Sequence, residues 1–410
     1  MTKKKPALAL WILIALILGI LAGLAFMGNS AFAVSYIKPF GTIFLNLIKF
    51  IVVPIVFFSI MSGILSMSDM RKVGSIGVKT VVYYFLTTAG AIVLGLFMAN
   101  LFKGAFPVLN TAEAAYEAKE ATGLMETFVN IFPSNVVAPF ANASMLQVIV
   151  ASLLFGFGIL AAGEKAKPFA DFIDSATEVS MRVMSFIIQL SPIGVFCMIV
   201  PVVAENGPAI LGSLGMVLLC AYICYIIHAA VVYSSTVKIL GGLSPLAFFK
   251  GMIPAMAMAF SSASSVGTLP LNMECVEHLG ARRDVSSFVL PLGATINMDG
   301  TAIYQGVCTV FIACCYGVDL TLGQMATIVL TATLASIGTA GVPGAGMVML
   351  AMVLESVGLP VAGIGLVLGV DRIFDMGRTT VNITGDAACA IVVSTLENKK
   401  EARLAAKAKQ

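Results

Sequence analysis

The segment Asp371-Arg372-Ile373-Phe374-Asp375-Met376-Gly377-Arg378-Thr379-Thr380-Val381-Asn382-Ile383-Thr384-Gly385-Asp386 sets three carboxylates and a guanidinium, with a second arginine at 372, into a stretch otherwise apolar enough to span a bilayer. At about 100° per residue, Asp371, Asp375, Arg378, Thr379, Asn382 and Asp386 fall at roughly 0°, 40°, −20°, 80°, 20° and 60°, an arc of about 100° on one helix face. A charge at bilayer depth costs about 3 kcal/mol or more, so such residues face a protein interior or a wet cavity and mark a path for ions or substrates. A network that only fixed packing would not need the negative charge left over when three carboxylates meet one or two arginines. The pattern is that of a binding site inside a membrane.

The elements that must carry this site follow from composition: 59% of the 410 residues are hydrophobic and 11% charged, which describes an all-α polytopic membrane protein. Runs long enough to cross a bilayer lie near 7–27, 40–68, 77–102, 142–163, 172–203, 209–240, 285–316 and 360–396, and two apolar but interrupted segments lie near 244–281 and 321–357. Residues 1–6 and the run after them resemble a signal peptide. The run is about 20 residues long with no small-residue cleavage site, so it is read as a first span that stays. Lys3, Lys4 and Lys5, then Arg71 and Lys72, Lys165 and Lys167, Arg282 and Arg283, and Lys399, Lys400, Arg403, Lys407 and Lys409 all fall on one side of an eight-span count. By the positive-inside rule that side is cytoplasmic, with both termini on it. The opposite side carries the long loop 103–135, in which Lys103 and Lys119 sit amid Glu113, Glu117, Glu120 and Glu126. The net charge of +3 then reflects topology and implies no nucleic-acid partner.

The eight cysteines lie almost entirely in apolar runs without paired metal spacing and are read as small packing residues. His228 and His278 are read as isolated, with no ligand role.

Two tips break the apolar pattern of the second half: Ser261-Ser262-Ala263-Ser264-Ser265-Val266-Gly267-Thr268-Leu269-Pro270, and Ser336-Ile337-Gly338-Thr339-Ala340-Gly341-Val342-Pro343-Gly344-Ala345-Gly346. Such backbone cannot face lipid, because its N–H and C=O groups would lack partners there. Two re-entrant helical hairpins are the simplest reading. Each is followed about 35 residues later by a span with a polar break, Asn297–Thr301 after the first and the Asp371–Asp386 face after the second. A hairpin followed by a broken helix, twice, is the pattern of an inverted repeat with its site at the midplane. Half-helix N-termini would offer N–H groups to an anion, and unwound carbonyls with Asp299 and Asp386 would offer hard oxygens to a small cation.

At these motifs the chain resembles the dicarboxylate/amino acid:cation symporter family, the glutamate transporter family, over nearly all of residues 7–396. The resemblance implies eight transmembrane helices and two re-entrant hairpins in inverted repeats, assembled as a homotrimer in the cell (inner) membrane. It implies a scaffold from residues 1–76 and 103–208, an elevator-type transport domain from 77–102 and 209–396, and a cytoplasmic tail at 397–410. Arg378 matches the arginine that grips the substrate's side-chain carboxylate, and Asp375 the aspartate that accepts its ammonium. Thr379 and Asn382 match their polar neighbours, while Met298, Thr301 and Arg372, with the backbone at Ser265, Val342 and Gly346, complete the pocket. Sodium sites transfer as Gly293, Asn297, Asn382 and Asp386 for one; Thr295, Met298, Ser336, Ile337 and Thr339 for a second; and Tyr84, Thr87, Thr88, Asn297 and Asp299 for a third. Four aspartates, at most two arginines and an acidic amino acid leave about three negative charges, which three sodium ions would neutralise.

Two departures stand out. Some prokaryotic relatives carry an arginine where this chain has Ala263, and Arg372 could reach the same space from the last helix. Gln305 stands where proton- and potassium-coupled animal relatives carry a glutamate, so no potassium antiport is expected. The reading is a sodium-coupled symporter of L-aspartate or L-glutamate, the alternative a proton-coupled carrier of acidic amino acids or C4-dicarboxylates. A membrane enzyme using Ser264 or Ser265 would need a base that neither tip supplies, and a passive channel would need no mixed Asp/Arg pocket.

Overall fold

The computed structural model describes residues 8–66, 74–108, 129, 132–207, 209–336 and 344–408, and every regular element among them is helical. Arg71, Lys72 and most of the loop 103–135 lie outside the described residues. Among those described, six helical runs are long and apolar enough to cross a membrane by length and composition: Met27–Ser62, Ser75–Ala105, Gln147–Gln189, Gly212–Ile239, Arg283–Cys315 and Asp371–Ala406. Shorter apolar helices cover Ile14–Ala25, Ser191–Glu205, Leu322–Ala335 and Ala345–Ser356.

In chain order the main helices are α1 (Leu8–Ala25), α2 (Lys38–Ser66), α3 (Ser75–Phe102), α4 (Met145–Ala162), α5 (Lys167–Gln189), α6 (Ser191–Asn206) and α7 (Ala209–His228). A π-helical turn over Ala229–Tyr233 joins α7 to α8 (Ser234–Ile239). Then come α9 (Pro245–Ser262), α10 (Ser265–His278), α11 (Arg283–Ile296), α12 (Asp299–Cys315), α13 (Leu322–Ala335), α14 (Ala345–Ser356) and α15 (Asp371–Ala408). α1 packs on α6, and α2 on α4, α5 and α6. A second group encloses α12 and α15: α3, α7 and α14 pack on α12, and α9, α10 and α11 on α15.

Burial separates the polar helices from the rest. The apolar window of Arg283–Cys315 is 100% buried and that of Asp371–Ala406 83%, so their charged groups face protein and not lipid. α9 and α10 fold back on each other through Ala263 in the left-handed region (φ 51°, ψ 42°) and Ser264, whose hydroxyl caps α10 by accepting from the Gly267 amide at 3.0 Å. α13 begins with a capping box between Thr321 and Gln324. Its partner α14 lies beside it, while residues 337–343 of the second tip lie outside the described residues.

Two expectations need correction. The run 172–203 is two helices, because Pro192 near the start of α6 has no N–H to donate; the chain turns at Leu190 (φ −81°, ψ −5°) and restarts. The second polar break is also absent: α15 runs unbroken through Asp371–Asp386. No proline interrupts that stretch, and its polar side chains bond to one another and to α12, so the backbone ladder need not open. The first break is present, since α11 ends at Ile296 and Asn297 is extended (φ −86°, ψ 102°) before α12 restarts at Asp299.

Candidate functional site

The site forms where the N-terminal half of α15 meets the α11–α12 break, α3 and the hairpin ends. Asp371, Asp375, Arg378, Thr379, Asn382 and Asp386 are all buried, Arg378 to 2% exposure. The helical period stacks the Arg378 guanidinium over the two carboxylates that precede it: Nε donates to Asp375 Oδ1 at 2.9 Å and Nη1 to Asp371 Oδ1 at 3.1 Å. The Tyr304 ring lies beneath, 4.7 Å from Cζ, adding a cation–π contact. Nη2 is buried without a hydrogen-bond partner among the described residues. One edge of a planar donor fork is thus unspent, the geometry that grips a carboxylate.

Both hairpins reach the charged face of α15, the second at Asp375 and Arg378 and the first at Arg372. The start of α14 points at the carboxylate beside it, with Gly344 N donating to Asp375 Oδ2 at 3.2 Å. Gly346 sits so close that a Cβ there would collide with the Arg378 Nη1 and Cζ atoms. At the first hairpin, Arg372 Nη2 donates to the Ser262 carbonyl at 3.2 Å, and its Nη1 stands 3.7 Å from Asp375 Oδ2. Arg372 therefore lies against the first hairpin, one residue from Ala263. Ser265, the first residue of α10, is buried.

A second cluster surrounds Asp299, which is fully buried. Its Oδ1 accepts from Thr88 Oγ1 at 2.6 Å and Thr87 Oγ1 at 3.2 Å, both on α3. Its Oδ2 accepts from the Tyr233 hydroxyl at 2.8 Å and lies 3.1 Å from His228 Nε2. Beside it, Asn297 Nδ2 donates to Asp386 Oδ1 at 2.9 Å and to the Asn382 carbonyl at 3.0 Å. Asn382 Oδ1 accepts from the Gly300 amide at 2.8 Å and its Nδ2 donates to Thr301 Oγ1 at 3.3 Å, binding α15 to the start of α12. The opposite amide oxygen, Asn297 Oδ1, is buried without a partner among the described residues. Gly293 is side-chain-free where a Cβ would occupy the space of Asp386 Oδ1 and the Tyr84 hydroxyl. Carboxylate, amide and hydroxyl oxygens, one acceptor unspent, form the donor set of a hard cation.

Most residues expected at the site are brought together here. The Tyr84 hydroxyl donates to the Val289 carbonyl at 3.0 Å, while the Tyr84 carbonyl lies 3.2 Å from Thr87 Oγ1, the hydroxyl that stands 3.2 Å from Asp299 Oδ1. Thr295 and Ser336 donate to carbonyls of their own helices, and Met298 is buried with its sulfur 3.7 Å from Thr301 Oγ1. Ile337, Thr339 and Val342 lie outside the described residues. His228 is not isolated, because it touches Asp299 and stacks edge-on against Tyr233. Tyr233 and Tyr304 were also absent from the sequence reading. Tyr304, three residues after Thr301, could have been found by helical spacing; His228 and Tyr233 could not, because the π-helical turn between them changes the helical period. All eight cysteines are free and buried.

Compared with known proteins, the sequence fits the pattern described as the sodium:dicarboxylate symporter family over residues 8–396. It is 36% identical over 405 residues to the proton/sodium-glutamate symport protein of Geobacillus stearothermophilus, covering 97% of this chain and 96% of that protein. It is 36% identical over 415 residues to the proton/glutamate-aspartate symporter of Escherichia coli (strain K12), covering 97% and 95%. To the C4-dicarboxylate transport protein of Bacillus subtilis (strain 168) it is 34% identical over 402 residues, covering 96% and 94%.

Proposed function

Because the chain belongs to the sodium:dicarboxylate symporter family and is therefore a membrane transporter rather than an enzyme, we propose that it carries an acidic amino acid, L-aspartate or L-glutamate, together with sodium. The observation that carries this reading is the pairing at the second hairpin: an arginine with an unspent donor edge beside an aspartate. An acidic amino acid brings a carboxylate for Arg378 and an ammonium for Asp375. A C4-dicarboxylate would bring a second negative charge toward Asp375 and Asp371, where like charges at low dielectric repel. Sodium is favoured as the coupling ion because Asp299, Asp386 and Asn297 Oδ1, which has no partner among the described residues, lie in one buried polar layer. Three sodium ions per substrate would balance the charge of the loaded site.

In this reading the protein is a homotrimer of eight spans and two re-entrant hairpins, with both termini cytoplasmic. Residues 77–102 and 209–396 move as an elevator against a scaffold of 1–76 and 103–208. The packing of α3, α7, α9–α11, α13 and α14 around α12 and α15, with α1, α2 and α4–α6 packed mainly on one another and met by α7, α11, α13 and α14 at the border, supports that division. The test is uptake of labelled L-aspartate into proteoliposomes with an inward sodium gradient, against a choline control carrying a proton gradient. Uptake only with sodium is expected; uptake driven by protons alone would favour the proton-coupled alternative.

Two substitutions probe the pocket without removing a charged partner of Arg378. Gly346→Ala is expected to push the guanidinium aside and raise the KM for aspartate at least tenfold, since a displacement of about 1 Å in a binding group can cost on the order of 100-fold. Its heat stability should stay within a few degrees of wild type; an unchanged KM would show that the helix start yields instead. Arg372→Ala is expected to weaken aspartate uptake, and adding Ala263→Arg to restore part of it. Normal uptake by Arg372→Ala would remove Arg372 from the binding machinery.

A further inference from the structure

His228 and Tyr233 are five residues apart. On a regular α-helix that spacing puts side chains about 140° apart, so one would face away from whatever the other touches. Here both reach the same atom, Asp299 Oδ2, the tyrosine at 2.8 Å and the histidine at 3.1 Å. The cause is the π-helical turn Ala229–Tyr233, which begins at the residue after His228. In a π-turn the hydrogen bond runs from i+5 to i, and residues five apart come onto one face. The two rings then pack edge to face, with centroids 4.9 Å apart at 86°, and each fixes the other's orientation. A π-turn interrupts the regular backbone ladder and is found mostly at functional sites, so its position directly over a buried carboxylate points to a role at the site.

That role follows from the torsion it constrains. The last torsion of an aspartate side chain is broad and roughly two-fold, so an unheld carboxylate swings between orientations. Donors from the π-turn hold Oδ2, which leaves Oδ1 turned toward the Thr87 and Thr88 hydroxyls of α3. Tyr233 is anchored in turn, its hydroxyl 3.2 Å from the Val381 carbonyl of α15, next to Asn382. His228 and Tyr233 are both buried to 0% exposure, so water does not substitute for either. We infer that the π-turn of residues 229–233 is a positioning device for the cation site: His228 and Tyr233, neither a ligand itself, orient the Asp299 carboxylate so that its other oxygen and the α3 hydroxyls present a preformed set of oxygens to sodium. This deepens the sodium reading above and rests on it. Outer partners of this kind change ion affinity by about 10- to 100-fold when removed.

The test uses the purified full-length protein without aspartate, following the midpoint of heat unfolding as sodium replaces choline at constant ionic strength. An ion that binds the native state stabilises it by RT ln(1 + [L]/Kd), so fitting the rise of the midpoint against sodium concentration gives the dissociation constant, the half-saturating concentration of binding, without reference to transport. His228→Leu and Tyr233→Phe are each expected to raise the half-saturating sodium concentration about tenfold or more. His228→Gln, whose amide can donate from a similar reach, is expected to stay within about threefold of wild type. Val217→Ala, buried on the same helix three turns earlier, supplies the control: it should lower the sodium-free midpoint and leave the half-saturation unchanged. Wild-type half-saturation in His228→Leu and Tyr233→Phe would overturn the proposal, as would an equal rise in Val217→Ala. A wild-type protein whose midpoint ignores sodium would overturn the sodium reading first and this proposal with it.

Discussion

Arg378→Ala is expected to abolish aspartate and glutamate uptake, with kcat/KM at least 100-fold below wild type. The guanidinium is buried, and Nη2, which has no partner among the described residues, is the donor available to an incoming carboxylate. Losing a charge-assisted hydrogen bond inside a dry site, and leaving the carboxylate's charge unanswered, corresponds to about 3 kcal/mol. The same substitution strips Asp371 and Asp375 of their shared counter-charge, a loss that destabilises a buried pair by about 3–5 kcal/mol. Arg378→Lys separates the two effects, because it keeps the positive charge and gives up the planar fork. Its heat stability is expected close to wild type while the KM for aspartate rises tenfold or more. If the lysine variant transports aspartate with an unchanged KM, the fork is not what reads the side-chain carboxylate. A neutral substrate such as L-serine gives the complementary measurement: without the arginine it should compete for the pocket better than aspartate does.

What was legible in the sequence is what a local period carries. The arc of Asp371, Asp375, Arg378, Thr379, Asn382 and Asp386 follows from 3.6 residues per turn, and the structure keeps all six buried. The α11–α12 break could be read because Asn297, Asp299 and Gly300 are poor helix-interior residues placed together in an apolar run. The first hairpin tip was readable from its serines for the same reason. The polar face at Asp371–Asp386 marks no second break, because polar residues on one face do not open a helix whose backbone ladder remains intact. The division of the 172–203 run turned on Pro192, a single residue whose missing N–H outweighs the apolar pattern around it. His228 and Tyr233 were hidden more deeply. Their partnership exists only where the helical period changes, and a reading that assumes 100° per residue places them on different faces. The Asp299 cluster joins α3, the α7–α8 π-turn and α12 from three distant parts of the chain, a juxtaposition that no local pattern encodes.

Asp386→Asn is expected to raise the sodium concentration for half-maximal aspartate uptake at least 30-fold and to reduce the positive charge moved per aspartate by one. The two side chains have nearly the same shape, and Asn297 Nδ2 can still donate to the amide oxygen that replaces Asp386 Oδ1. The variant therefore changes charge with little change in packing. At 1% exposure the carboxylate draws little stabilisation from water, so a cation at the neighbouring oxygens is its natural compensation. With an amide in its place, the layer holds one negative charge fewer and has one fewer cation to recruit. At the proposed stoichiometry of three sodium ions to one acidic amino acid, about two net positive charges would move inward per cycle; with one sodium site lost the figure would fall to about one. Reversal potentials in proteoliposomes, set by potassium and valinomycin against fixed sodium and aspartate gradients, read this directly. An unchanged reversal potential with a raised sodium requirement would mean that Asp386 tunes a sodium ion it does not by itself recruit. Uptake by the variant that loses its response to a proton gradient, with no change in sodium dependence, would move Asp386 from a cation site to a proton site and bring the proton-coupled reading forward.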